Sequence, residues 1–305
     1  MNSNNIWLNL CIEMMRTGLS YEWGEVKSMR RFDILSPHAV AVVECACSED
    51  YRVPSSYSSN NVLVELCNTL GYGFRYGGKY ALSLDCYKKA LSMQEGVLNQ
   101  MNSLRATLYY NIAWLYEELM DFDAALEWYQ KDLVITEAVH GREGISAAHT
   151  YTNIGEIYRK KREYGKAMNY FKRALYIFEK RLEREKFAGA VYNNIAGLHA
   201  EKKQYEQALK WHEKDIAISE EYTGKKHPDT ATSYNNIGLT YFEMGDPQKA
   251  LEWYEKAIAI RYEILGENHP ELDIAVLNAA EAYAAMGKPS VPFDVWINNI
   301  IEGMN

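Results

Sequence analysis

One short string returns along this chain at an almost constant interval: YYNIA at 109, YTNIG at 151, YNNIA at 192 and YNNIG at 234. Aligned on the small residue that ends it, the copies fall at Gly71, Ala113, Gly155, Ala196, Gly238 and Ala280, in steps of 42, 42, 41, 42 and 42. A catalytic loop is used once. A segment that recurs at a fixed period marks a chain built by stacking copies of one unit, each burying its apolar side against the next.

The columns around that anchor describe a helix. The residue before it is Leu70, Ile112, Ile154, Ile195, Ile237 and Ala279, and three residues after it comes Phe74, Tyr116, Tyr158, His199, Tyr241 and Tyr283. Apolar, small and aromatic side chains at that spacing share one face of an amphipathic helix. A break follows each copy (YGGKY, LMDFD, KREYG, KKQYE, MGDPQ, MGKPS), and in YGGKY the glycines Gly77 and Gly78 are expected to end the helix. Pro247 after Asp246 has the form of a helix start, with an acidic cap and proline in the first turn.

A second helix then carries a small column at Ser83, Ala125, Ala167, Ala208 and Ala250. Four residues on stands a ring: Tyr87, Tyr129, Phe171, His212, Tyr254 and, in the sixth copy, Trp296. Small against large lets two helices approach and interlock. Asp132 and Asp215 occupy a column that is alanine elsewhere, which predicts a hydrogen bond to the neighbouring copy, since buried polar groups are paired.

This two-helix unit resembles the tetratricopeptide repeat, in copies at about 62–103, 104–146, 147–187, 188–229, 230–271 and 272–303, the last degenerate. The generic repeat has ~34 residues, so about eight more here predict a second helix longer by about two turns. The connectors GKKHPDTATSYNNIG and GENHPELDIAVLNAA are similar to the longer repeats of kinesin light chains and related bacterial proteins, with Pro228 and Pro270 where a helix begins. The resemblance implies an all-α fold over 61–305, a right-handed solenoid of antiparallel helix pairs.

The ends differ from the repeats. Residues 1–60 read as a mostly helical capping segment, with helices near 5–18 and 20–33, HAVAVVECAC as strand or helix, and YRVPSSYSSNN as a loop. Such a segment covers the apolar flank of the first copy. At the other end, Val295, Trp296, Ile300 and Ile301 cannot all face inward if nothing follows them. They predict an interface, either a homodimer or a docked partner or domain.

In tetratricopeptide repeats the residue two before the small column points into the concave groove. Here it is Thr69, Asn111, Asn153, Asn194, Asn236 and Asn278. Each amide offers two donors and an acceptor, so five in a row can pair with the backbone of an extended peptide without demanding a sequence. Neighbouring groove positions that vary include Tyr110, Trp114, Glu118, Arg159, Lys160, Asn193 and Asn235, with Arg75 and Tyr76 toward the N-terminus. Arg159 and Lys160 form a basic island able to hold one carboxylate of a ligand.

Other functions find little support. A formal net charge of −8 argues against a nucleic-acid backbone as partner. No segment approaches the ~20 apolar residues of a membrane span. Five cysteines, all within the first 86 residues, fit a reducing, cytoplasmic setting better than a disulfide framework. Cys45 and Cys47 lack the second ligand pair of a zinc site. Nucleophile-elbow, zincin and phosphate-loop motifs do not occur, and GYGFRYGG falls at the end of a repeat helix. The chain is expected to be a scaffold without enzymatic activity, metal or cofactor, binding a protein or peptide partner. An assembly module acting through its last helix, or a receptor for a signalling peptide, are the alternatives.

Overall fold

The computed structural model describes residues 26–47, 57–94, 102–180, 187–267, 269–287 and 291–302, together with Cys11, Ile12, Met14, Met15 and Leu19. The described residues form thirteen long α-helices and no strand. They are α1 (Val26–Cys47), α2 (Tyr57–Tyr76), α3 (Tyr80–Met93), α4 (Ser103–Glu118), α5 (Phe122–His140), α6 (Ile145–Lys160), α7 (Tyr164–Glu179), α8 (Ala188–Glu201), α9 (Tyr205–Tyr222), α10 (Pro228–Met244), α11 (Pro247–Leu265), α12 (Pro270–Ala285) and α13 (Phe293–Glu302). From α2 onward they form six consecutive pairs, the helix pairs of a solenoid. The chain divides into two compact units, Met1–Thr150 and Tyr151–Asn305.

The expected columns are the core. The apolar residues Leu70, Ile112, Ile154, Ile195 and Ile237, and the small residues Ser83, Ala125, Ala167, Ala208 and Ala250, are all buried. In the first, third and fifth copies the ring of the second helix lies directly on the glycine of its own first helix. A Cβ on Gly155 would stand 2.6 Å from the Phe171 ring, and one on Gly238 would stand 2.6 Å from Tyr254. In these copies the hydrogen of glycine leaves room for the ring.

Helix ends follow local chemistry. Asn102, Asp121 and Asp246 cap α4, α5 and α11 by accepting from the backbone N–H three residues on. Pro228 and Pro270 open α10 and α12, where His227 and His269 accept through Nδ1 from Asp229 and Glu271. Within each copy the turn passes through the left-handed region at one fixed column: Gly78, Met120, Arg162, Lys203, Gly245 and Gly287. The next N–H bonds back across the turn, as in Asp121 to the Tyr116 carbonyl at 2.9 Å and Gln204 to that of His199 at 2.8 Å. This closure satisfies the last carbonyls of the helix. At Met120, Arg162 and Lys203 it is made by residues with a Cβ, at φ 59°, 61° and 58°.

The N-terminal expectation is corrected. The stretches 20–33 and 38–47 do not form separate elements over the described residues. One helix, α1, runs through Pro37. Phe32, Ala39, Val43 and Ala46 line one buried face at helical spacing on both sides of the proline, and that burial holds the helix together across the lost hydrogen bond. Phe32 meets Phe74 edge-on at 5.3 Å and lies on Gly73, where a Cβ would fall 2.1 Å from the ring. α1 thus covers α2. The loop expected over YRVPSSYSSNN also gives way, since Tyr57 to Asn61 begin α2. Residues 51–56, and most of the helix expected at 5–18, lie outside the described residues.

At the other end, α13 packs one apolar face within its own chain. Phe293, Trp296, Ile297 and Ile300, at positions i, i+3, i+4 and i+7, join the core of α11 and α12, with Phe293 and Trp296 against Tyr283 at 5.3 and 5.7 Å. Of the residues expected at an interface, Ile300 is buried, Trp296 and Ile301 are half-buried, and Val295 is exposed. The reason is that α13 completes the sixth pair, giving Trp296 an inner face to fill.

Candidate functional site

The structure gives the asparagine column a register that the period alone does not supply. Asn236 donates its side-chain N–H to the Asn193 carbonyl oxygen at 3.0 Å, and Asn278 to that of Asn235 at 3.1 Å. In the first unit Asn111 donates to Asn68 at 2.7 Å. Each rung therefore joins the residue two before the small column to the one three before it, one copy earlier. In the second and third copies that earlier column is Tyr110 and Thr152, so Asn153 and Asn194 meet no asparagine there.

Each rung uses one donor and one lone pair. A primary amide has two donors and two lone pairs, so every pair keeps hydrogen-bonding capacity beyond its internal bond. Asn111 and Asn235 are buried, whereas Asn153, Asn193, Asn194, Asn236 and Asn278 are half-buried. The row is therefore partly open in both units, at Asn68 in the first and at these five positions in the second.

The basic island is corrected. Arg159 gives Nε and Nη2 to the two oxygens of Glu156, at 2.9 and 2.6 Å, and Nη1 to Glu201. Lys160 lies 4.0 Å from Glu156. The donors of Arg159 are committed to two carboxylates of the protein itself, since a half-buried guanidinium is stable only when paired. In the first unit the aromatic and charged residues meet instead: the Arg75 guanidinium lies 3.3 Å above the Trp114 ring and 4.8 Å from that of Tyr72. Glu118, at the end of α4, is exposed.

The aspartates behave as expected of buried polar groups. Asp132 accepts from Thr136 at 2.8 Å and from Thr150, on the next copy, at 2.5 Å. Burial raises its carboxyl above the ordinary range, and the two threonines pull it back in part. It borders a cavity of about 390 Å³ between α4, α5 and the first residues of α6, with Tyr110, His140 and His149 also on the wall. Burial lowers His149. In the second unit burial raises Asp215 to about 6 and lowers His212 to about 4. His212 bonds Thr240 at 3.1 Å and His199 bonds Gln204 at 2.8 Å, so the two histidines have separate partners. Where the aspartate is replaced by alanine, at Ala90, Ala174 and Ala257, the hydroxyl opposite is replaced too, by Leu108, Val191 and Ala275. Acid and hydroxyl come and go together, as buried partners must.

The sequence offered no sign that Arg75 would be buried, or that Arg159 would be neutralised. Both depend on which column of one copy faces which column of the next.

No helix among the described residues is long and apolar enough to cross a membrane. The family model for the tetratricopeptide repeat matches residues 65–133, 104–180 and 187–263. A comparison with curated proteins gives no match. Solved structures do match. BtubC (BKLC) from P. vanneervenii is 25% identical with a TM-score of 0.58, over 86% of this chain and 94% of that one. A kinesin light chain with nearly identical TPR-like repeats from Podosopora anserina is 16% identical with a TM-score of 0.54, over 66% and 95%. A Rap protein complexed with Competence and Sporulation Factor is 16% identical with a TM-score of 0.60, over 98% and 76%. With three stretches of paired helices under the repeat model, and the same columns in every copy, this chain belongs to the tetratricopeptide repeat family.

Proposed function

We propose that this protein is a non-enzymatic interaction scaffold that holds an extended segment of a partner protein or peptide along its asparagine row. The observation that carries this is the repeated rung: Asn193–Asn236 and Asn235–Asn278 stand in one register, each with amide capacity left over and partly open to solvent. A β-like chain presents alternating N–H and C=O groups, and amides in one row meet them without regard to side chains. Side-chain selection then falls to the varying positions Tyr110, Trp114, Glu118 and Lys160. The fold is one in which the Rap protein was solved in complex with Competence and Sporulation Factor, which supports a ligand-holding role for such an array. A cytoplasmic setting fits five cysteines that all lie within the first 86 residues.

The test is a display library of random peptides panned on the full chain, with affinities then measured for Asn153→Ala/Asn194→Ala. The expected result is a loss of roughly ten-fold or more, since charge-neutral hydrogen bonds contribute about 1 kcal/mol each, with the melting temperature nearly unchanged. Unchanged affinity in that variant would remove the row from binding and leave the asparagines a structural job.

A further inference from the structure

Three arginines are buried among the described residues, and their partners differ. Arg105 donates to the Gln94 carbonyl at 3.0 Å, and Arg261 to the Glu271 carbonyl at 2.8 Å and the Thr232 hydroxyl at 3.2 Å. Arg75 is 7% exposed and has no hydrogen-bond acceptor and no carboxylate among the described residues. Among the described residues it stacks on aromatic rings, Trp114 below it and Tyr72 beside it. A guanidinium taken this far out of water without a counter-charge is destabilising, and stacking on a ring offsets only part of that.

The repeat supplies two internal controls. Arg159 is the same column two copies later, and it is closed off by Glu156 and Glu201. In the second copy that column is Glu117, which accepts the Tyr129 hydroxyl at 3.2 Å. The first copy pairs Tyr87 with Arg75 at those positions, so a donor stands where the next copy has an acceptor. The Tyr87 hydroxyl and the Arg75 Nε both remain without one. The first copy lacks the anion that stands at or beside this column in the second and third copies.

We infer that Arg75 is the anchor of a subsite for one carboxylate of a bound partner, with Trp114 as the platform behind the guanidinium. The ring covers one face of the fork, so a ligand approaches its edge, where the N–H groups match the two oxygens of a carboxylate. One guanidinium neutralises one charge. A phosphate monoester carries about −1.5 to −2 and would leave an excess of negative charge unbalanced. The carboxylate belongs to an acidic side chain or to a chain end, which the same geometry would take.

This subsite extends the partner-binding role proposed above, and single-residue probes separate the two, because they need no row of amides. The experiment follows the arginine Nε–Hε signals of the ¹⁵N-labelled full chain, with the Arg75 signal assigned by its loss in Arg75→Lys. N-acetylglutamate α-amide supplies a side-chain carboxylate, N-acetylalanine a terminal one, N-acetylglutamine amide a neutral isostere, and N-acetylphosphoserine amide a phosphate. The expected result is a saturable shift of the Arg75 signal with either carboxylate and none with the glutamine probe. The Trp114 indole signal should move alongside it in the native chain and stay still in Arg75→Lys. Whichever carboxylate binds tighter names the source. No Arg75 shift with either carboxylate, an equal shift with the glutamine probe, or tighter binding of the phosphoserine probe would overturn the subsite. In each of those cases peptide capture by the asparagine row would stand untouched.

Discussion

Replacing Asp215 by asparagine should stabilise this protein at neutral pH and do much less in mild acid. Asp215 is buried on α9, beside Ser233 and against Gly189, whose added Cβ would stand 3.0 Å from its carboxylate oxygen. Burial raises its carboxyl from 3.8 to about 6, with Asp229 adding to the rise and Ser233 opposing it. The folded state therefore holds the proton more tightly than the unfolded chain. That contribution is complete below about pH 4 and is lost as pH rises through about 6. About two pKa units at ~1.4 kcal/mol each come to about 3 kcal/mol lost by pH 7.5, and about 1 kcal/mol by pH 4.5. Asparagine keeps the shape and has no charge to bury, so Asp215→Asn should exceed the parent by about 3 kcal/mol at pH 7.5 and about 1 at pH 4.5.

Urea unfolding at the two pH values, followed by circular dichroism, reads this as a shift in midpoint. Comparing variant with parent at each pH cancels the opposite linkage of His212, which burial lowers to about 4 and which weakens the fold in acid. An advantage equal at the two pH values would show that Asp215 titrates as an ordinary exposed carboxyl, and the burial argument would fail with it.

Other consequences are as direct. Gly73→Ala should cost about 1–3 kcal/mol, because its Cβ would fall 2.1 Å from the Phe32 ring. It should also free α1 to limited proteolysis while α4 to α13 stay protected. Lys203→Gly should stabilise by about 0.5–1 kcal/mol, relieving a side chain held at φ 58°, visible as a rise in melting temperature. Asn236→Ala should cost about 1 kcal/mol by leaving the Asn193 oxygen unpaired, measured by the same unfolding curves. Cys86, buried with its thiol pushed up to about 12, and Cys67, fully buried, should resist iodoacetamide at pH 8 in the native state and react in denaturant.

The sequence carried the periodic parts of the structure because they depend on neighbours within one copy. Gly155 against Phe171, Ala125 in its column and Pro247 at its helix start are set by spacings of a few residues. Asp132 with Thr150 was legible one step further, since a buried acid must find a donor. What was hidden depends on the offset between copies. Nothing in the period says that Asn236 meets Asn193 rather than Asn194, that Arg159 reaches Glu201, or that Arg75 lies flat on Trp114. The split between 20–33 and 38–47 fell for a different reason: the buried face from Phe32 to Ala46 carries one helix through Pro37.

The side-chain amide resonances of Asn193, Asn194, Asn236 and Asn278 report most directly on whether the row receives a ligand chain. Titrating a captured peptide into the ¹⁵N-labelled protein should move these amide pairs together, in slow or fast exchange according to affinity. Shifts confined to α13 or to exposed loops, with all four amides still, would place binding elsewhere and contradict the role assigned to the row.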